Sequence, residues 1–380
     1  MQTNDQTLSA LRTQPRITVI GLGGGGCNTV NRLSSLQMPG IRLVAANTDA
    51  LALNACAADE RILLGKDLTR GLGSGGDPEV GQKAAEDSFR ELIRAIEGTD
   101  MLFLTSGMGG GTGSGAIQIA ARIAKSLNVL TIAIVTTPFS FESGLRVQTA
   151  RESTAQLRPF VDTLITIPND RLIGITSRDT TLRSAFALAD DLLIKGIHSI
   201  SGMLHSSELM NVDFSHILRL MRQEGGCYIS TGVASGTDKA CAALCNALRH
   251  PLLEEIPLQN AKGMVVKFNG ALSLAEVQDA MKYLKENVSP DAELITAMEE
   301  DNLLEGQVQV MVLVTGIGAI PVQEQSLSKH EFVEKLPAEV ADPAPKSLLT
   351  GYSPADATPD DLEVPAFIRR GYNQIAHTLR

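Results

Sequence analysis

The sequence has 380 residues and lacks tryptophan altogether, and aromatic residues make up only 4% of it. Hydrophobic residues still account for 43%. We therefore expect interiors filled mainly by Ala, Val, Ile and Leu. A chain of this length accommodates two domains and a tail, because one domain takes roughly 150 residues.

Cysteine is also scarce, and its five copies are an odd number without any C-x-x-C pair. This indicates neither a disulfide framework nor a zinc ribbon. Cys241 and Cys245 lie four residues apart in a predicted helix, where a metal pair is conceivable. Two small buried residues on one helix face are the simpler interpretation.

Positive charge and long apolar runs are limited as well. The formal net charge is −10 and the isoelectric point is near 5.2, which argues against general affinity for nucleic acid. No run approaches the length of a membrane span, and the first fifteen residues are polar, without the apolar core of a signal peptide. We expect a soluble, cytoplasmic protein.

Glycine, in contrast, is concentrated in one informative stretch at 106–115. The stretch follows the hydrophobic run 101–105 and precedes the small-residue, amphipathic run 116–127, an order that predicts strand, loop and helix. Glycines let a ligand approach the backbone closely, and a helix N-terminus attracts phosphate. The hydroxyl groups of Thr112 and Ser114 add donors. The sequence therefore predicts a phosphate-binding loop.

A second glycine loop, 21–28, follows the first predicted strand, 16–21. Its G-x-G-x-x-G spacing, with Asp49 some twenty-odd residues later, also fits a dinucleotide-binding oxidoreductase, which stays open as an alternative. Two glycine loops on separate strands favour one triphosphate held from two sides. The lysine-bearing G-x-x-x-x-G-K-[ST] motif is absent, which disfavours an ordinary P-loop enzyme.

Strands alternate with helices from residue 16 onward, including one long helix predicted over 78–97. This pattern predicts an α/β fold with a doubly wound, mainly parallel sheet, followed by a long central helix and a smaller α/β second domain. Beyond residue 320, prolines and acids dominate until a short apolar and basic cluster that is typical of a docking peptide. The predicted divisions are 1–15 (disordered), 16–178 (nucleotide domain), 179–206 (central helix), 207–318 (second domain), 319–361 (disordered linker) and 362–380 (docking peptide and tail).

The run Gly-Gly-Gly-Thr-Gly-Ser-Gly at 109–115 is similar to the tubulin-type signature, and its surroundings resemble FtsZ, the bacterial division tubulin family. The likeness extends from about residue 16 to 318 and resumes at 362–370. It includes the motifs Asn-Thr-Asp at 47–49, Gly-Leu-Gly-Ser-Gly at 71–75, Asp-Pro-Glu-Val-Gly at 77–81, Ile-Pro-Asn-Asp at 167–170 and Asn-Val-Asp at 211–213.

The resemblance implies that GTP or GDP, with Mg²⁺, is bound between the two loops. Glu142 and Arg146 match positions near the ribose and phosphates, and Asn169 and Phe186 match positions near the sugar and base. Asp190 matches the position that reads guanine, where a carboxylate can accept from both N1–H and the 2-amino group. The remaining implied nucleotide contacts are Gly23, Gly24, Gly25, Gly26, Cys27, Asn28, Asn47, Gly109, Gly110, Gly111, Thr112 and Gly113.

The resemblance also implies head-to-tail filaments in which the next subunit supplies the hydrolytic residues, in the pattern Asn-x-Asp-x-x-Asp. This chain has Asn211 and Asp213, but His216 replaces the second acid. A neutral histidine supplies no negative charge to hold a cation. We therefore expect GTP binding with slow or altered hydrolysis; the simpler alternative is that Asp213 and its neighbours suffice.

The function implied is that of a GTP-dependent filament that builds a division ring at mid-cell. The peptide Leu362–Arg370 would recruit this filament to the inner membrane through adaptor proteins. A hydrolysis-poor paralogue that serves as a scaffold or regulator is the second hypothesis, and the oxidoreductase is the third.

Overall fold

The structure is a computed structural model that describes residues 15–36, 38, 40–175, 179–205, 214–222, 227–249, 258–300, 304 and 306–316. The strands in chain order are β1 Ile17–Leu22, β2 Ile41–Asn47, β3 Glu60–Leu63, β4 Met101–Gly107, β5 Leu130–Thr137, β6 Thr163–Pro168, β7 Cys227–Ser235, β8 Gly263–Asn269, β9 Glu293–Glu299 and β10 Gln307–Thr315. The α-helices are α1 Gly23–Ser35, α2 Ala50–Asn54, α3 Lys66–Thr69, α4 Pro78–Asp87, α5 Phe89–Ile96, α6 Gly111–Ser126, α7 Gly144–Leu157, α8 Asp170–Ile175, α9 Leu182–His205, α10 Phe214–Met221, α11 Lys239–Leu248 and α12 Leu274–Asn287.

The first sheet has six parallel strands in the order β3-β2-β1-β4-β5-β6. This confirms the predicted doubly wound sheet. The strand order reverses between β1 and β4, and ligands of such sheets bind beyond the carboxyl ends of the strands at that switch point. Both predicted glycine loops begin there.

The sheet is buried on both faces, which accounts for strands that read as continuous apolar runs. Val19 and Phe103 pack into the core on one face, whereas Ile20 and Leu104 pack into the core on the other. Small residues of α6, such as Ala120, belong to the second core. The interior is therefore built from aliphatic side chains, as the composition predicts.

Helix α9 has 24 residues and lies within the predicted central-helix range. Its residues Ile197 and Ile200 share one buried cluster with Val19 of the first sheet and with Val265 and Leu313 of the second. The long helix thus contributes to a core that residues of both sheets share.

The second sheet has four strands in the order β7-β10-β8-β9. The last strand, β10, lies between β7 and β8 and is antiparallel to both, whereas β8 and β9 are parallel. Helices α11 and α12 cover one face of this mixed sheet with residues such as Leu244 and Leu284. This agrees with the predicted smaller α/β second half.

Two local predictions need correction. The single helix predicted over 78–97 is two helices, because the backbone leaves the helical conformation at Ser88 (φ −101°, ψ 24°) and the Ser88 hydroxyl accepts a hydrogen bond from the Gly65 N–H at 2.9 Å. Helix α6 begins at Gly111 rather than near residue 116. Residues 111–115, three of which are glycines, are therefore part of the helix and not of the preceding loop.

Several predicted features lie outside the described residues. These are the predicted disordered residues 1–14, the linker 319–361, the docking peptide and tail 362–380, and the loop residues Asn211 and Asp213. Among the helices that the structure does describe, none combines the length and the apolar character needed to cross a membrane.

Candidate nucleotide site

The two glycine loops pack backbone against backbone at the switch point. Gly23 has a left-handed φ of 69°, and a Cβ atom there would lie 2.8 Å from the Gly113 nitrogen. A Cβ at Gly25 would lie 2.9 Å from the Gly107 nitrogen. Because side chains cannot fit between these segments, the glycines are required for the approach of α1 to β4 and α6.

The outer side of the same segments is open. A Cβ at Gly24 or at Gly110 would meet no heavy atom within 4 Å among the described residues. Gly110 is the N-cap of the 16-residue helix α6, so no capping side chain occupies the start of this helix. The first N–H groups of an α-helix have no partners within the helix and favour an anion. The arrangement suits a phosphate chain lying between the starts of α1 and α6.

The hydroxyl groups predicted as ligand donors have partners within the protein. The Thr112 hydroxyl lies 2.6 Å from that of Thr48 and 3.0 Å from that of Ser74. The Ser114 hydroxyl is buried and accepts a hydrogen bond from the Gly109 N–H at 2.8 Å. These side chains therefore fix the loops in place, and the backbone N–H groups are the donors available to a ligand.

Cys27 and Asn47 are both buried beneath the first loop. The Cys27 side chain belongs to the hydrophobic core, and burial, reinforced by the neighbouring Cys56 thiol, raises its pKa to about 12. The Asn47 side chain accepts a hydrogen bond from the Thr48 N–H at 2.9 Å.

Asp49 caps α2 by accepting from the Leu51 N–H at 2.9 Å. Its carboxylate therefore has a structural role, which counts against the dinucleotide fingerprint.

Glu142 and Arg146 form an ion pair at the start of α7. The Arg146 Nη1 and Glu142 Oε2 atoms lie 2.8 Å apart, and the other Glu142 oxygen accepts from the Phe139 N–H at 2.9 Å. The Arg146 side chain is 54% exposed, whereas that of Glu142 is 16% exposed. Of the two, the arginine is therefore the group more open to an approaching anion.

Three aromatic rings form a cluster that includes the predicted base-stacking residue. Phe186 is 41% exposed and meets Phe139 edge to face, with ring centroids 5.6 Å apart. Phe139 in turn stacks on Phe141 at 4.9 Å. Asn169 lies just after β6 and is buried, and its Oδ1 atom has no hydrogen-bond partner among the described residues. A donor on a bound ligand would satisfy this atom.

Asp190 lies on α9 with both carboxylate oxygens engaged by α1. The Thr29 hydroxyl donates to Oδ1 at 3.2 Å, and Arg32 Nη1 lies 3.5 Å from Oδ2. Burial raises the pKa of the Asp190 carboxyl, while the Arg32 charge and these hydrogen bonds oppose the rise. The carboxylate remains 19% exposed and is able to accept further hydrogen bonds.

The residues expected to hydrolyse GTP are described only in part. His216 is an exposed residue in the first turn of α10, while its predicted companions Asn211 and Asp213 lie outside the described residues. Within the described part of the chain, no group of three or more His, Cys, Asp or Glu side chains could hold a metal ion.

Sequence reasoning missed two residues of this site, Thr29 and Arg32. They follow the first glycine loop and lie three positions apart on α1, which puts them on one helix face. That spacing is the only signal in the sequence, because their common partner, Asp190, is 161 residues from Thr29.

Two family models match the chain. The model of the Tubulin/FtsZ family GTPase domain matches residues 16–177, and the model of the FtsZ family C-terminal domain matches residues 225–318. The fold and the paired glycine loops therefore define a protein with a tubulin-type GTPase domain. The chain belongs to the FtsZ family of cell division proteins.

Individual relatives agree with this. The cell division protein FtsZ of Rhizobium radiobacter is 39% identical over 373 residues; the alignment covers 97% of this chain and 62% of that protein. FtsZ of Azotobacter vinelandii is 37% identical, with 93% and 96% covered. The solved structure of an FtsZ dimer from M. jannaschii superposes with a TM-score of 0.76 at 36% identity, covering 83% of this chain and 93% of that one. The chain thus spans less than two thirds of the Rhizobium radiobacter protein.

Proposed function

We propose that this protein binds GTP in the crevice between α1 and α6 and assembles head to tail into filaments. The observation that carries the proposal is the placement of two glycine loops on the adjacent strands β1 and β4, where the strand order reverses. The open sides of Gly24 and Gly110 leave the backbone of both loops accessible to one phosphate chain. Helix dipoles from α1 and α6 then act on it together.

The purine would lie away from the phosphates, toward α9. Phe186 offers an exposed ring face for stacking, and Asp190 offers acceptors to guanine N1–H and its 2-amino group. Adenine presents no such pair of donors, so the carboxylate selects for guanine. A Mg²⁺ ion would be carried by the phosphate oxygens and water, the way this ion is commonly bound by proteins that act on nucleotides.

Assembly is supported by exposed apolar side chains beside the site. Leu51 is 83% exposed and Leu72 is 86% exposed. Their segments are tied together, since the Ala50 N–H donates to the Gly71 carbonyl at 3.0 Å. Exposed apolar residues on adjoining segments suit a contact with another protein. A contact between two different surfaces of identical subunits generates an open filament.

Hydrolysis would occur where the next subunit covers the γ-phosphate, with Asn211, Asp213 and His216 facing it. We infer that turnover is slow, because His216 stands where the family pattern has an acid. A neutral imidazole cannot hold a hydrated cation by charge. The same observation favours a second candidate function, a filament-forming scaffold or regulator that binds GTP and hydrolyses it poorly.

The peptide Leu362–Arg370 would connect the filament to adaptor proteins, and so place it at the division ring. The apolar and basic character of this peptide, beyond a proline-rich and acidic stretch, supports this part of the proposal. Deletion of the peptide should abolish membrane recruitment and leave assembly in vitro intact; loss of assembly would contradict the assignment.

Sedimentation with GTP, with GDP and without nucleotide, combined with phosphate release, tests the whole proposal. We expect pelleted polymer with GTP only, and phosphate release that increases in the His216→Asp variant. A fully active native protein that gains nothing from this substitution would contradict slow hydrolysis. Co-assembly with another filament but almost no turnover alone would favour the scaffold. Binding of NADH without preference for GTP would favour the oxidoreductase.

A further inference from the structure

We propose that Thr29 and Arg32 are positioning residues that set the specificity for guanine by fixing the Asp190 carboxylate. The inference rests on the proposed function, because Asp190 can read guanine only if guanine nucleotides bind here. It adds two residues that act on the base through Asp190 and assigns them to α1, the helix that also begins at the phosphate loop.

The contacts fix the carboxylate from one side. The Thr29 hydroxyl donates to Oδ1 at 3.2 Å, while Arg32 Nη1 approaches Oδ2 at 3.5 Å. An ionised carboxylate has about four acceptor positions, two on each oxygen. Each α1 residue engages one oxygen, which leaves an acceptor position on each for the two donors of guanine. The two acceptor positions that remain therefore match the two donors of guanine in number.

Arg32 is itself held firmly, so it can hold Asp190. Its Nη1 donates to the Ala187 carbonyl at 2.6 Å, and its Nη2 lies 2.5 Å from Asp191 Oδ1. The guanidinium thus contacts three residues along one turn of α9. Its side chain is 35% exposed, so solvent weakens the charge interaction but does not remove it.

Thr29 lies between Asp190, which is proposed to recognise the base, and the first glycine loop. Its hydroxyl oxygen also lies 3.2 Å from the carbonyl oxygen of Gly25, one of the loop glycines, so the single hydroxyl proton is shared between that carbonyl and Asp190 Oδ1. Thr29 is 1% exposed, so its orientation is fixed by packing. Preorganisation of this kind improves affinity and selectivity because fewer groups must be ordered when the ligand binds. Burial alone would favour protonation of Asp190, and the Arg32 charge opposes this.

The test compares GDP with IDP, which lacks only the 2-amino group. We expect the native protein to prefer GDP, and we expect Thr29→Val and Arg32→Gln to reduce the GDP-to-IDP affinity ratio roughly tenfold, about the size of one charge-assisted hydrogen bond. Affinity for IDP should change less. Thr29→Ser, which keeps the hydroxyl group, should restore the ratio.

Arg42→Gln is the matched control. Arg42 also pairs with one carboxylate, Glu60 at 3.1 Å, and with one carbonyl, Ala95 at 2.8 Å, and neither of these partners in the described part of the chain is a residue assigned to the site. The GDP-to-IDP affinity ratio of Arg42→Gln should equal that of the native protein. Thermal unfolding of each variant separates lost selectivity from lost structure, and Thr29→Val, which keeps the side-chain shape, carries the test if Arg32→Gln does not fold.

The possible outcomes distinguish guanine recognition by Asp190 from the positioning role of Thr29 and Arg32. A native protein with equal affinity for GDP and IDP would overturn guanine reading itself. A native preference for GDP that persists in both Thr29→Val and Arg32→Gln would overturn the positioning role and leave the proposed function standing. A ratio that falls in Thr29→Val and returns in Thr29→Ser supports the inference.

Discussion

The backbones of Gly25 and Gly107 lie so close together that a Cβ atom on Gly25 would stand 2.9 Å from the Gly107 nitrogen. This relationship joins the first turn of α1 to the end of β4, the two parts of the chain from which the phosphate site is built. Gly110 differs, because a Cβ there would meet no described atom within 4 Å. Gly25 therefore serves the packing of α1 against β4, whereas Gly110 leaves space for a ligand.

Alanine at these two positions should have opposite consequences. Gly25→Ala should lower the free energy of unfolding by about 1–3 kcal/mol, the usual cost of overpacking. Gly110→Ala should leave it within about 0.5 kcal/mol but weaken GDP binding, because the new methyl group projects toward the phosphates. Chemical denaturation and GDP titration of both variants check this. Equal effects of the two substitutions on stability would contradict the division of roles.

Replacing Asp190 by asparagine should change which base is bound. Asparagine presents one acceptor and one donor, which match the N1–H and the 2-oxo group of xanthine but not the two donors of guanine. Asp190→Asn should therefore weaken GDP binding by at least about a hundredfold and make XDP the preferred ligand. Competition titrations with both diphosphates provide the measurement. Unchanged GDP affinity would remove Asp190 from the site.

The affinity for GDP should decrease in mild acid. Burial raises the pKa of the Asp190 carboxyl above its ordinary 3.8, and the protonated carboxyl cannot accept from both guanine donors. The dissociation constant should thus increase as the pH falls through this raised pKa, and in Arg32→Gln the increase should begin at higher pH, because the opposing charge is gone. Titrations from neutral pH downward, for as long as the protein stays folded, follow this change, and Arg42→Gln is the control.

The raised pKa of Asp190 also makes the free energy of unfolding depend on pH, and the direction of this dependence can be measured separately from ligand binding. The folded protein holds the Asp190 proton more tightly than the unfolded chain does. This group's contribution to the free energy of unfolding therefore decreases as the pH rises from the unfolded pKa through the folded one. The native protein should therefore lose stability relative to Asp190→Asn as the pH rises through this range; a difference between the two that does not change with pH would contradict the raised pKa.

The cysteines should divide into two classes of reactivity. Cys27, Cys56 and Cys227 are buried, and burial raises the pKa of Cys27 and of Cys227 to about 12. Cys241 and Cys245 on α11 are partly exposed. Alkylation followed by mass spectrometry should label the α11 pair in the native protein and the other three only in denaturant. Rapid native labelling of Cys27 would contradict its place in the core.

Much of the fold could be predicted from local patterns. The apolar runs around Val19 and Phe103 and the glycines that follow them are local signals for strands and loops, and their alternation with helices fixes a parallel sheet. The break at Ser88 could not be predicted, because the hydroxyl's partner is the N–H of Gly65, which becomes a neighbour only in the folded chain. The insertion of β10 between β7 and β8 likewise depends on pairing over long sequence distances.

The site shows the same limit. Its glycine loops and the helix carrying Phe186 and Asp190 were visible as patterns, the latter through the resemblance to a family. The roles of Thr48 and Ser74, whose hydroxyl groups both meet that of Thr112, were not visible, since a hydroxyl group carries no periodic signal. Thr29 and Arg32 had no assigned partner until α1 and α9 were placed side by side.

Equilibrium titration of the native protein with GTP, ATP and NADH tests the central claim most directly, because that claim is a single guanine nucleotide held between the α1 and α6 loops. The account predicts one GTP bound per chain, no measurable ATP or NADH binding, and loss of GTP binding in Asp190→Asn. Binding of NADH, or equal binding of ATP and GTP, would contradict it.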